Sequence, residues 1–448
     1  MNDTFVVIGG DAAGMSAASK AKRERPELDV VVFERGSWVS YAACGMPYYV
    51  KGDVASLDEL VTITPERFRE ERDIDLRTGH EVVEIDPEDE TVTVANEEGT
   101  FEQSYDHLLV GTGASAIEPP FEGIELDGVF TIHEMDEADA IEAYVSEQSP
   151  ETAAIVGGGY VGVEMAEALS AHGITVHLFE MLEHVLQPFG DTVARTVEEH
   201  LRERGVVLHL ETSVSGFTGE NAIESVEVDG ETHPADIAVV GVGVTPNVDL
   251  AAKAGIELGP TGAIATDEYG RTNFENIYAA GDCAQARHVV TGEPDHVPLA
   301  LTANRAGRAI GQTVTGSPTP VGDIAGTAIV KAFDLGAART GLVDEKRAQE
   351  AGFDPVSVTI SAPTRAHYYP GGAELTITLL ADRSTGRLLG GSLVGQEGAK
   401  RVDSLAMALH AEMTVRELQN ADLAYAPPFS PVWDPVLTAA KVLDGKLD

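Results

Sequence analysis

The chain has only two cysteines, Cys44 and Cys283, in 448 residues. That scarcity excludes a disulfide-stapled scaffold. With no second cysteine near either one, a locally encoded dithiol relay is excluded as well. Basic residues are also few: 30 Lys and Arg stand against 74 Asp and Glu, for a formal net charge of −44. Such a surface lacks the cations that replace phosphate counterions, so nucleic acid is not an expected partner. No apolar run approaches the roughly 18 residues needed to cross a bilayer. Met1-Asn2-Asp3-Thr4 leads straight into an apolar strand without the basic and cleavable segments of a signal peptide, so a cytoplasmic protein is expected. No Cys/His grouping has metal-ligand spacing, so no metal is expected. The histidines, among them His172 and His209, read as structural or superficial.

What is present starts with the acid surplus. In dilute buffer a charge of −44 strains the compact state by self-repulsion, whereas at molar ionic strength the screening length falls to about 3 Å. The composition therefore predicts a halophilic protein. Its length predicts two to four domains.

Phe5-Val6-Val7-Ile8 reads as a strand, Gly9-Gly10-Asp11-Ala12-Ala13-Gly14 as a turn, and the stretch from Met15 to Arg23 as a helix. A second strand, Val30 to Phe33, ends in Glu34. This is a dinucleotide fingerprint in its proper setting, with the acid placed for ribose hydroxyls and the helix start for pyrophosphate. Asp11 takes the middle glycine position, so its side chain must point away from the phosphates. The pattern repeats with all three glycines at Gly157, Gly159 and Gly162, followed by a helix through His172 and a strand ending in Glu180. No arginine stands at Met181 or Leu182 to receive a 2′-phosphate, which favours NADH over NADPH.

Leu108-Leu109-Val110-Gly111-Thr112-Gly113-Ala114 looks like a strand leaving the first nucleotide domain, Gly241-Val242-Gly243 like a crossover back, and Asn276 to Asp282 like the strand that re-enters. With these segments the chain resembles the pyridine-nucleotide disulfide oxidoreductases over its whole length. The resemblance implies an α/β fold: two Rossmann-like domains for FAD and NAD(P), the second inserted in the first, and an α+β C-terminal dimerisation domain. The expected segments are 1–115 and 246–320 for FAD, 116–245 for NAD(P) and 321–448 for the dimer domain. It implies cofactor contacts at Gly9, Gly10, Ala13, Gly14, Glu34, Gly113, Gly157, Gly159, Gly162, Glu180, Gly243, Gly281 and Asp282, and a homodimer.

Within that family, the run from Ser40 to Tyr49 around Cys44 and the run from Ala424 to Ser430 are most similar to the coenzyme A disulfide reductases. The implied reaction is NAD(P)H-dependent reduction of coenzyme A disulfide through a mixed disulfide on Cys44, whose pKa a helix start and a flavin would lower. Ser16, Lys20 and Arg23 share one face of the first helix. The resemblance places coenzyme A contacts at these three and at Ser40, Arg72 and Asn304, with Ala43 where an asparagine often precedes the cysteine. Another low-molecular-weight disulfide therefore stays open as substrate. Tyr425 and Tyr368 match tyrosines that approach the cysteine across the dimer, and Trp433 is read either as a channel residue or as core. The chain shows no rhodanese-like domain after the dimer domain, which speaks against a dedicated persulfide reductase. Two alternatives remain: an NADH oxidase or peroxidase cycling Cys44 through a sulfenic acid, and a flavin-bearing redox sensor.

Overall fold

The computed structural model describes residues 3–447. Short runs of Val, Ile and Leu form two five-stranded parallel sheets. The first has the order Ile277–Ala279, His107–Val110, Thr4–Ile8, Asp29–Glu34, Asp75–Thr78. The second has the order Val207–His209, Thr175–Phe179, Thr152–Val156, Ile237–Val240, Val129–Thr131. Central strands of this kind are buried on both faces, so they are continuously apolar and do not alternate.

The first sheet takes one strand from after residue 246, as a split domain requires. The two chain crossings between the sheets, Ala114–Ala116 and Val244–Pro246, pair antiparallel, so the expected boundaries near 115 and 245 fall within one small ribbon. The helix Ala12–Glu24 lies against the helix Ala300–Thr313, where a Cβ on Gly307 would stand 2.1 Å from the Ala13 carbonyl oxygen. That close approach fixes the late helix to the first nucleotide domain.

The C-terminal region is a five-stranded antiparallel sheet of order Ala328–Ala332, Leu335–Gly341, Leu388–Gly395, Glu374–Asp382, Pro355–Pro363. Its central strand Leu388–Gly395 is buried throughout. On this sheet a 3₁₀ turn, Ala399–Arg401, runs into the α-helix Val402–His410. Two antiparallel three-stranded meanders, 81–104 and 214–234, were not foreseen. Their strands alternate weakly, and polar side chains line their open faces. Among the described residues no helix is long and apolar enough to cross a membrane.

Repulsion within a −44 surface predicts that the melting temperature rises by several degrees between about 0.1 M and about 3 M KCl, as the screening length shrinks. A melting temperature that stays flat across that range would remove the halophilic reading of the composition.

Candidate active site

The two nucleotide turns are built alike. Glu34 accepts hydrogen bonds from the backbone N–H groups of Gly10 (2.7 Å) and Gly36 (2.7 Å). Glu180 accepts from Gly158 (2.7 Å) and Leu182 (2.8 Å). A carboxylate has about four lone-pair sites, so each acid is locked in place with capacity left for two ribose hydroxyls. Gly9 and Gly157 adopt φ of 102° and 105°, which L side chains rarely reach, and each sits against the carbonyl of the neighbouring strand's exit, Gly111 and Gly241. Both turns thus lie at the point where strand order reverses, the usual place for a ligand in an open α/β sheet. The helices that follow, Ala12–Glu24 and Tyr160–Ala171, have no acid in the first turn and no side-chain cap, leaving N–H donors for an anion. A Cβ on Gly159 would meet nothing within 4 Å.

These observations fit a dinucleotide in each turn. In the first, the Asp11 carboxylate accepts from the Tyr41 N–H (3.1 Å), and burial pushes its pKa up to about 6. Asp282 follows Gly281 (φ 85°), and its carboxylate has no hydrogen-bond partner among the described residues, the condition of a group free to receive a ligand hydroxyl. Burial raises its pKa, while His133 and His296 oppose that shift.

Cys44 lies in a single 3₁₀ turn, Ala43–Gly45, that runs into the short helix Met46–Lys51. Its side chain is exposed, whereas Cys283 is buried and donates to the carbonyls of Val110 (3.5 Å) and Ala280 (3.4 Å). Cys283 is therefore packing, and Cys44 is the one accessible thiol. Its helix is docked on the second nucleotide domain: His172 Nε2 lies 2.6 Å from the Val50 carbonyl, Tyr48 donates to Glu164 Oε1 (3.1 Å), and Lys51 pairs with Glu167 (3.0 Å). Glu167 also accepts from Lys331 (2.6 Å) and from the Phe333 N–H (2.7 Å). One buried carboxylate thereby joins the cysteine helix, the second nucleotide domain and the C-terminal sheet.

Residues 3–307 match the family described as pyridine nucleotide-disulphide oxidoreductase, and residues 327–435 match its dimerisation domain. The chain belongs to the pyridine nucleotide-disulphide oxidoreductase family. The NAD(P)H coenzyme A polysulfide/persulfide reductase of Pyrococcus horikoshii is 42% identical over 99% of both chains. The coenzyme A disulfide reductase of Staphylococcus haemolyticus is 32% identical over 95% of this chain and 96% of that protein. Among solved structures, a NAD-dependent persulfide reductase from A. fulgidus superposes with a TM-score of 0.96 at 41% identity, covering 99% of this chain and 83% of that one. The Pyrococcus relative is matched end to end without a further domain, so the argument from a missing rhodanese-like domain against persulfide reduction fails.

In this oxidoreductase the protein's own groups raise the Cys44 pKa, contrary to the expected lowering. Crowding by surrounding protein comes first, then the carboxylates of Glu164 and Asp282. The following helix is too short to offset them. Glu164 is itself held protonated up to about pH 7 by burial, against the hydrogen bond from Tyr48. A carboxyl that keeps its proton to about 7 when folded, against 4.5 ordinarily, stabilises the fold fully below its ordinary value. That contribution is lost as pH rises through 7. Glu164→Gln should accordingly flatten the fall in stability between about pH 5 and pH 8. The same variant should lower the Cys44 pKa and speed its alkylation by iodoacetamide several-fold near neutral pH; an unchanged rate profile would separate Glu164 from the thiol.

The positions expected to hold the substrate fall into three groups, along the first helix, beside Cys44 and on the C-terminal domain. Ser16 donates to Asn304 Oδ1 (2.6 Å). Arg72 donates to Ser19 Oγ (2.7 Å) and lies close enough to Arg23 that this charge, after burial, lowers its pKa. Lys20 is paired with Glu24, so it is not a free cation. Ser40 has φ 49°, its N–H donating to the Gly10 carbonyl (3.0 Å) and its own carbonyl accepting from Thr62 (2.9 Å), while Ala43 packs at the edge of the main core. Tyr368 and Tyr425 meet hydroxyl to hydroxyl at 3.3 Å on the exposed face of the C-terminal domain. Within one protomer neither has a hydrogen bond to the surroundings of Cys44. Trp433 is not core: it is 62% exposed, beneath the Lys441 ammonium (5.8 Å).

Sequence reasoning missed Glu164, Glu167 and Tyr48. A signal existed, since two carboxylates interrupt the otherwise apolar helix Tyr160–Ala171, and buried acids need partners.

Proposed function

We propose that the chain is a homodimeric, NADH-dependent FAD enzyme that reduces the S–S bond of a coenzyme A disulfide or coenzyme A persulfide through Cys44. The observation that carries this reading is the single accessible thiol, Cys44, with Cys283 sealed in the core. Lacking a partner cysteine, Cys44 must form its disulfide with the substrate.

Bound in the first turn, the flavin would receive hydride from NADH and supply the two electrons of the reduction. The Cys44 thiolate attacks one sulfur of the substrate, the S–S bond breaks, and one coenzyme A leaves as a thiolate that takes up a proton. Cys44 then holds the other half as a mixed disulfide, and two electrons with a proton release it and restore the thiolate. The sum is NADH, H⁺ and coenzyme A disulfide going to NAD⁺ and two coenzyme A; with the persulfide the products are coenzyme A and hydrogen sulfide. Arg23 and Arg72 supply local cations for the phosphates of coenzyme A in an otherwise anionic protein. Tyr425 and Tyr368, presented by the partner across the dimer, supply hydroxyl donors to the departing thiolate.

The test follows NADH oxidation by the purified holoenzyme in concentrated KCl, with coenzyme A disulfide, coenzyme A persulfide, cystine, peroxide and oxygen offered separately. The coenzyme A substrates should exceed the others in kcat/KM by about 100-fold, the scale of two or more charged phosphate contacts. A preference for peroxide or oxygen would replace this reading with the oxidase or peroxidase one.

A further inference from the structure

Three strands of the second nucleotide domain that are far apart in sequence each contribute one histidine to a common point. His177 lies on Thr175–Phe179, His209 on Val207–His209 and His233 on Glu231–Pro234. One ligand nitrogen from each lies within 4.8 Å of the others. His177 Nδ1 and His209 Nε2 are 3.0 Å apart. The rings of His177 and His209 stack at 5.3 Å, Phe179 backs His209 at 4.4 Å, and His233 meets His209 edge-on at 5.1 Å. Sequence spacing alone does not reveal this grouping.

A neutral imidazole offers one ring-nitrogen lone pair to a metal ion. The His233 side chain has no hydrogen-bond partner among the described residues, although its strand is paired through the backbone. All three side chains are half-buried, reachable from solvent yet sheltered.

We propose that His177, His209 and His233 bind one divalent transition-metal ion of the zinc, cobalt and nickel class, with water completing the coordination. Nitrogen bonds of about 2.0–2.1 Å in a tetrahedral site place ligand atoms about 3.3 Å apart. The 3.0 Å pair is near that already, and a side-chain rotation of His233 on its hairpin completes the set. An all-imidazole donor set selects against magnesium and calcium, which require oxygen. The ion would staple the parallel sheet's edge to the neighbouring meander. It would also sit beside the acid read as the adenosine-ribose acceptor, because the Glu180 N–H donates to the His209 carbonyl at 2.8 Å.

The test uses the FAD-loaded Cys44→Ser protein, so that the thiol does not compete for metal, in concentrated KCl to suppress weak carboxylate binding. Calorimetric titration with zinc should give one ion per protomer, undisturbed by excess magnesium, and zinc should raise the melting temperature. His233→Ala, on the exposed hairpin, and His209→Gln should each weaken binding by about 100-fold or more and abolish the thermal shift, with flavin content unchanged. Absence of saturable zinc binding, or binding that survives both substitutions, would show the three histidines to be packing only.

Discussion

The Cys44→Ser enzyme should lose turnover of coenzyme A disulfide and persulfide by about three orders of magnitude or more, the scale at which loss of an essential nucleophile is read. It should retain bound FAD and still accept electrons from NADH, because the substitution touches neither of the turns proposed to hold the nucleotides nor Glu34, Glu180 or Asp282. A serine hydroxyl neither ionises near neutral pH nor forms an S–S bond. Cys283→Ser is the natural control: that thiol is wholly buried and its two hydrogen bonds go to backbone carbonyls, so turnover should be retained. Substantial turnover of either coenzyme A substrate by the Cys44→Ser enzyme would disprove the mechanism.

A second large effect is expected in nicotinamide choice. The Glu180 carboxylate is buried and held by Gly158 and Leu182, with lone pairs left over that we assign to the adenosine ribose. A 2′-phosphate would bring a second negative charge against it without a guanidinium in reach, so NADH should exceed NADPH in kcat/KM by about 100-fold, the worth of one or two charged hydrogen bonds. Met181, the next residue, is 69% exposed. Replacing Glu180 with alanine and Met181 with arginine should remove the repulsion and supply the missing cation, reversing the preference. Equal use of both nucleotides by the wild-type enzyme would show that Glu180 does not select.

Much of this was legible in the chain because it rests on local chemistry. The first and last fingerprint glycines, a strand before them and an acid at the end of the next strand determine each nucleotide turn, and the backbone N–H groups that lock Glu34 and Glu180 follow from that geometry. The crossings at Ala114–Ala116 and Val244–Pro246 were legible for the same reason. What escaped notice is set by tertiary packing. Glu167 unites three domains through Lys51, Lys331 and the Phe333 amide, residues with no common spacing. Burial raises the Cys44 pKa first and Glu164, more than a hundred residues away, second, and neither is visible in the turn in which the cysteine sits. The three histidines converge only because a parallel sheet and a meander pack together. Of the two readings of Trp433, channel residue or core, its exposure removes the second; Phe429 and Tyr425 are exposed as well.

The account depends on a covalent bond between Cys44 and coenzyme A, and the mass of the protein reports it directly. Oxidised holoenzyme treated with one equivalent of coenzyme A disulfide per protomer, then digested without reductant, should show coenzyme A on the Cys44 peptide alone, and NADH should release it in one turnover. A Cys44 peptide that carries only added oxygen, or coenzyme A that NADH fails to release, would contradict it.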